Sequence, residues 1–192
     1  MDIINGLNKE QKEAVEHING PCLVLAGAGS GKTKVLTTRI ANLINNGIDS
    51  YNILAITFTN KAAKEMRSRI NNIVDENFAF VGTFHSLGVR IIRENYEVLG
   101  LARNFTIIDG DDALSIIKKI LKDFNLNVKD YSPSYIRNKI SFIKNEMLSQ
   151  AEIEKHFNTD FDKVVVSIYE EYLNILRRNN TVDFDDLLLL PV

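Results

Sequence analysis

The chain has 192 residues, enough for one large domain or two small ones, and folding can bury roughly 70% of its extended surface. A net charge of −2 argues against attraction of nucleic acid over the whole surface, and a single cysteine, Cys22, excludes a disulfide framework. No apolar run nears the ~20 residues of a membrane span and residues 1–20 are polar, so a soluble, cytoplasmic protein without a membrane partner is expected.

Charge is unevenly spread: residues 1–108 carry 12 Lys and Arg against 10 Asp and Glu, whereas residues 109–192 carry 11 against 15. Lys61, Lys64, Arg67, Arg69, Arg90, Arg93 and Arg103 crowd one stretch, which makes either a local basic face or a solvated helix surface interleaved with Glu65, Glu94 and Glu97.

In chain order, Asn8 and Gln11 stand at capping-box spacing before a short helix with Ala14, Val15 and Ile18 on one side. The run Cys22-Leu23-Val24-Leu25 reads as a strand, and it feeds a glycine loop that ends in Gly31-Lys32-Thr33. Such a loop turns its amides inward at phosphate oxygens, with the positive end of the next helix beneath. Lys32 would then reach the β- and γ-phosphates, and the Thr33 hydroxyl would hold Mg²⁺. The pattern G-x-x-x-x-G-K-[ST] asks for glycine at position 26, where this chain has Ala26. Alanine still fits a tight strand exit; the plainer reading is a glycine-rich turn between strand and helix. The helix that follows carries Val35, Leu36, Ile40, Leu43 and Ile44 and stops at Asn46-Gly47.

Asn52 to Phe58 is nearly continuous apolar, as in a parallel strand covered on both faces. Thr59 caps a helix with Ala62, Met66, Ile70 and Ile73 inward; a third strand, Phe78 to Phe84, leads to a helix with Leu87, Ile91 and Val98 that ends at Gly100; a fourth, Phe105 to Ile108, follows. Strands alternating with helices imply an α/β fold with one parallel sheet, its ligands gathered at the strands' carboxyl ends. From Asp109 onward only helices are predicted. Their stripes are Leu114, Ile117, Leu121 and Phe124; Ile136, Ile140, Ile143 and Met147 after Ser132-Pro133; then Phe161, Val165, Ile168, Tyr172 and Leu176; then Phe184, Leu187 and Leu188 after Asp183.

Hydrolysis of ATP also requires an acid at a strand end and a base. Asp109 after Ile107-Ile108 imitates the acid, but it reads better as a helix cap. Asp183, Asp185 and Asp186 fit the first turn of a helix better than a metal site, and His17 and His156 fit helix surfaces.

Five segments together resemble the amino-terminal motifs of UvrD/Rep/PcrA-type superfamily 1 DNA helicases. They are Leu7-Asn8 with Gln11; Ala26-Gly27-Ala28-Gly29-Ser30-Gly31-Lys32-Thr33; Ile56-Thr57-Phe58-Thr59-Asn60-Lys61-Ala62-Ala63; Gly82-Thr83-Phe84-His85-Ser86; and Asp183-Phe184-Asp185-Asp186-Leu187. The resemblance implies a RecA-like P-loop NTPase fold, helices on both faces of its sheet, with residues 1–108 as part of motor domain 1A. Residues 109–192 would form a helical subdomain, 1B, and the return into 1A. It implies ATP and Mg²⁺ as cofactors, held by Gln11, Ala28, Gly29, Ser30, Gly31, Lys32, Thr33 and Lys34, with Gln11 reading the adenine edge. It implies a single-stranded DNA track at Phe58, Thr59, Asn60, Lys61, Thr83, Phe84, His85 and Phe184, and single-stranded and duplex DNA as partners. The family's D-E-x-Q-D segment is not in the sequence, which implies an amino-terminal fragment with an incomplete sheet that works with further helicase domains and is a poor ATPase alone. The alternatives are a small P-loop nucleotide kinase, though the helical part offers only Arg137, Arg177 and Arg178 for a lid, and a non-enzymatic binding module.

Overall fold

Backbone hydrogen-bonding groups must find partners, and the short segments of this chain find them mainly in helices. The computed structural model describes residues 3–74 and 80–192. The chain divides into two compact units, Met1–Leu87 and Gly88–Val192.

In the first unit, α1 (Lys9–Glu16) opens on the expected capping box: Asn8 accepts from the Gln11 amide while Gln11 accepts from the Asn8 amide. Its Ala14 and Val15 pack with Leu7 and with Val35 of α2 (Lys32–Asn45), the helix that leaves the glycine loop. A second core joins Ile40 of α2 to Ala55 of β1 (Leu54–Thr57), Met66 and Ile70 of α3 (Asn60–Asn71), and Val81 of β2 (Phe80–Thr83). β1 and β2 run parallel, Leu54 opposite Phe80 and Thr57 opposite Thr83, with α3 as the crossover. The Thr59 hydroxyl accepts from the Ala62 amide and caps α3, as expected. Of the strand predicted over 78–84, Phe78 and Ala79 lie outside the described residues and Phe84 begins a helix.

Two expectations about the sheet are corrected. Residues 22–25 form no strand, and Leu23 is 84% exposed, because no described strand offers that run a ladder and its apolar side chains find no cover. The fourth strand shrinks to β3 (Thr106–Ile107) and pairs in parallel with β4 (Thr181–Val182) rather than with β1 or β2. Among the described residues the single sheet is therefore replaced by two parallel two-stranded sheets within a mixed α/β chain.

The division between units falls inside α4 (Phe84–Glu94). Sequence character changes at 109, but packing changes earlier, since Ile92 belongs to a core with Phe105, Val182 and Leu187. Gly88 is required there: a Cβ on it would stand 1.8 Å from the Leu187 carbonyl oxygen. Val98, expected to extend this helix's apolar face, lies beyond its end and is exposed.

The rest of the second unit is α5 (Gly110–Asp123), α6 (Pro133–Asn145), α7 (Gln150–His156), α8 (Asp160–Arg178) and α9 (Asp186–Leu189). Their shared core contains Ile117, Ile120, Leu121, Ile136, Ile140, Ile143, Val165, Ile168, Tyr172 and Leu176. The predicted stripes hold at their centres and drift at their ends. In α5, Ala113 and Ile120 are buried while Phe124 is exposed, and after α6 Met147 turns out at φ 50°. No helix of the described residues is long and apolar enough to cross a membrane.

Candidate nucleotide site and nucleic-acid interface

The glycine loop bends because Gly29 and Gly31 adopt φ of 75° and 81°, a left-handed region that costs glycine nothing. Gly31 is also the N-cap of α2 and offers no side-chain acceptor, so the helix's first amides are left to an incoming anion. An added Cβ at Gly27 or Gly29 would meet nothing within 4 Å, so that face of the loop is open. Lys32 folds over the loop, its Nζ donating to the carbonyls of Gly27 at 2.6 Å and Ala26 at 3.2 Å. Ser30 donates from its hydroxyl to the Gly27 carbonyl, and Ala28 is exposed.

Gln11 does two things at once. Besides closing the α1 box it donates Nε2 to the Ser30 carbonyl at 3.0 Å, which fastens α1 to the loop. Lys34 is turned the other way, to the Gly6 carbonyl at 3.0 Å. A cleft of about 320 Å³ beside the loop is lined by Ala14, Val24, Lys32, Val35 and Arg39. This donor set suits a polyphosphate. Thr33, exposed in the first turn of α2, carries a hydroxyl, a hard oxygen of the kind divalent cations take. Among the described residues no group of three or more His, Cys, Asp or Glu is placed to hold a metal.

At the carboxyl end of β1, Phe58 is 90% exposed, its ring 6.0 Å from that of Phe84 at the end of β2 and tilted 50° to it. Asn60 and Lys61 are exposed in the first turn of α3. Thr83 differs from the expectation for a nucleic-acid contact. It is buried, and its amide and hydroxyl are hydrogen-bonded with Ser86, so it braces the start of α4 that carries Phe84 and the half-buried His85. Arg67 of α3 donates to the Val81 carbonyl and is a strut rather than a free cation.

The family pattern of the UvrD/REP helicase N-terminal domain matches residues 7–192. The chain belongs to the UvrD/REP helicase family. It is 46% identical to the ATP-dependent DNA helicase PcrA of Leuconostoc citreum over 99% of this chain and 26% of that protein. The corresponding PcrA helicases of Staphylococcus epidermidis and Staphylococcus aureus are 45% and 44% identical, again over 99% of this chain and 26% of theirs. The chain thus spans about a quarter of the length of these relatives. Membership in this family does not favour the nucleotide-kinase alternative.

Within this UvrD/REP helicase domain the acidic decoys are accounted for. Asp109 accepts from the amides of Asp111 and Asp112 and closes a capping box with Asp112, as expected. Asp183 and Asp186 cap each other's amides, at 3.0 and 3.1 Å. Sequence reasoning missed their partner, Lys144. Its side chain is 1% exposed and donates to Asp183 Oδ2 at 2.7 Å and Asp186 Oδ1 at 2.8 Å, while the Tyr172 hydroxyl donates to Asp183 at 2.9 Å. The available signal was position: Lys144 follows Ile136, Ile140 and Ile143 at helical spacing, on the buried side of α6.

Burial pushes both carboxyls up, but the Lys144 ammonium and its hydrogen bonds hold Asp183 below the ordinary value, whereas Asp183's own charge leaves Asp186 above it. Burial also lowers the ammonium's proton affinity, and the two carboxylates more than restore it, so Lys144 titrates above its usual value. Phe184, 52% exposed, sits between the two aspartates and lines a cleft of about 480 Å³ with Arg137, Asn138 and Ser141.

Proposed function

We propose that this chain is the ATP-binding part, and one wall of the DNA track, of an ATP-dependent helicase that translocates on single-stranded DNA and unwinds duplex. ATP lies with its phosphates on the amides of residues 28–33, Lys32 leaves the Gly27 carbonyl for the β- and γ-phosphates, and Thr33 ligates Mg²⁺. Gln11 faces the adenine edge, and Lys34 lies at the site's margin. The bound cation supplies charge neutralisation at the phosphates; this chain's residues bind and orient. Asp109, Asp183 and Asp186 have structural partners already, so the acid and the base of hydrolysis are not assigned to them. Residues 1–108 are read as motor domain 1A on a RecA-like plan and residues 109–192 as subdomain 1B with the return into 1A.

DNA lies on Phe58, Phe84, Thr59, Asn60, Lys61 and His85, with Thr83 as support, and Phe184 stacks a further base. The observation that carries this reading is Phe58, a large apolar ring at a strand's carboxyl end and 90% exposed beside Phe84. A solvent-facing ring of that kind has a use in sequence-tolerant stacking, worth ~1–3 kcal/mol per base.

Two binding measurements on the 192-residue chain test the proposal. With a fluorescent ATP analogue, Lys32→Ala should weaken binding by roughly tenfold or more, as expected for lost charge-assisted hydrogen bonds. With a fluorescein-labelled oligothymidylate, Phe58→Ala should raise Kd by about 5- to 150-fold. Unchanged affinities in both would refute it.

A further inference from the structure

A helix of 8 residues has little stability of its own, so where α1 stands is decided by what grips it. Its last carbonyls have no partners within the helix, and α2 supplies them. Arg39, half-buried, donates Nη1 to the Ala14 carbonyl at 2.6 Å, and Asn42 donates Nδ2 to the Val15 carbonyl at 3.1 Å. The two donors stand three residues apart on α2 and so share a face. The last turn of α1 carries no basic residue, and the Arg39 guanidinium brings to that end the positive charge its dipole favours. Since α2 starts at Gly31, one rigid helix holds both the end of the glycine loop and the far end of α1.

The near end carries Gln11. Its Oε1 accepts from the Asn8 amide and its Nε2 donates to the Ser30 carbonyl, both at 3.0 Å. A carboxamide has two lone pairs and two N–H groups, so one of each is left for a purine edge. Adenine meets that pair with its amino group and N7, whereas guanine sets an acceptor where the amino group was. We infer that Arg39 and Asn42 are positioning residues for base recognition: acting through α1, they hold the Gln11 carboxamide where it tells adenine from guanine. This rests on the adenine reading above.

The test is displacement of a fluorescent ATP analogue from the 192-residue chain by ATP, GTP and inorganic tripolyphosphate, with circular dichroism on each variant. Gln11→Ala should bring the preference for ATP over GTP, about 5- to 150-fold for a good bidentate contact, close to unity. Arg39→Leu and Asn42→Ala should each lower that preference about threefold or more, and neither should lower it further in the Gln11→Ala background. Affinity for tripolyphosphate should not change in Asn42→Ala, because that ligand has no base to read. If Arg39→Leu fails to fold, Arg39→Lys, which keeps the charge but not the planar fork, takes its place with the same expectation. A matching loss for tripolyphosphate in Asn42→Ala overturns the inference. Preference lost in Gln11→Ala but kept in Arg39→Leu or Asn42→Ala overturns it too, and leaves the adenine reading standing. Preference kept in Gln11→Ala removes the adenine reading and this inference together, while the phosphate contact of Lys32 is judged separately by Lys32→Ala.

Discussion

At the scale of single residues the deciding contrast is between two kinds of charge. Exposed pairs such as Arg90 with Glu94 contribute little, while Lys144 with its two aspartates is shut away from solvent. Removing one partner of such a group leaves buried charge uncompensated, so Asp183→Asn should destabilise the chain by about 3–5 kcal/mol at neutral pH. Acidification acts in a set order. Asp186, raised above its ordinary value, takes the first proton and leaves a neutral ion pair; Asp183, held low, yields last. A depressed carboxyl contributes stability above its unfolded value of about 3.9 and loses it as pH falls through the folded value. The gap in Tm between wild type and Asp183→Asn should therefore be wide at pH 7 and begin to close only below about pH 4, as pH falls toward the lowered folded value. A gap that stays constant would show that the ion pair is not what the substitution removed. Residue chemistry of this sort was only half legible in the sequence. The cap at Gln11 and the glycine-loop pattern ending in Lys32 and Thr33 show in local spacing, but the partner of Lys144 lies 39 residues away at Asp183, a distance no local pattern spans.

Among elements, end signals were read more reliably than apolar faces. Asn8, Thr59 and Asp109 all cap where their side chains predicted, since a cap is a local bargain between a side chain and the amides two or three residues on. The inward face of a helix is set by whatever packs on it, which is why Phe124 and Met147 face solvent and Ala113 does not. Strands fared worst. Residues 22–25 have the composition of a buried strand, but a strand is made by its neighbours, and the β1–β2 pair does not extend to it. The cap reading of Asp109 makes a prediction at this scale. Asp109→Ala should cost about 1 kcal/mol in thermal unfolding, Asp109→Asn far less, and neither should alter affinity for a fluorescent ATP analogue. Loss of nucleotide binding in the asparagine variant would return Asp109 to the list of cation ligands.

Across the whole molecule, two compact units each own a core, and the first carries an uncovered apolar run beside its glycine loop. Leu23 and Leu25 are both more exposed than any buried-strand reading allows, and unpaired apolar segments of this kind drive association between copies. Leu23→Ser should therefore lower the concentration-dependent light scattering of the 192-residue chain; scattering that does not change would mean the run is covered in solution.

Gln11 links such scales in one side chain. Its amide nitrogen grips the Ser30 carbonyl and its amide oxygen grips the backbone at Asn8, 19 residues separating it from the loop it touches. A nucleotide bound as proposed above would pull on this shared handle through Ser30, and the opening turn of α1 would loosen or tighten in step.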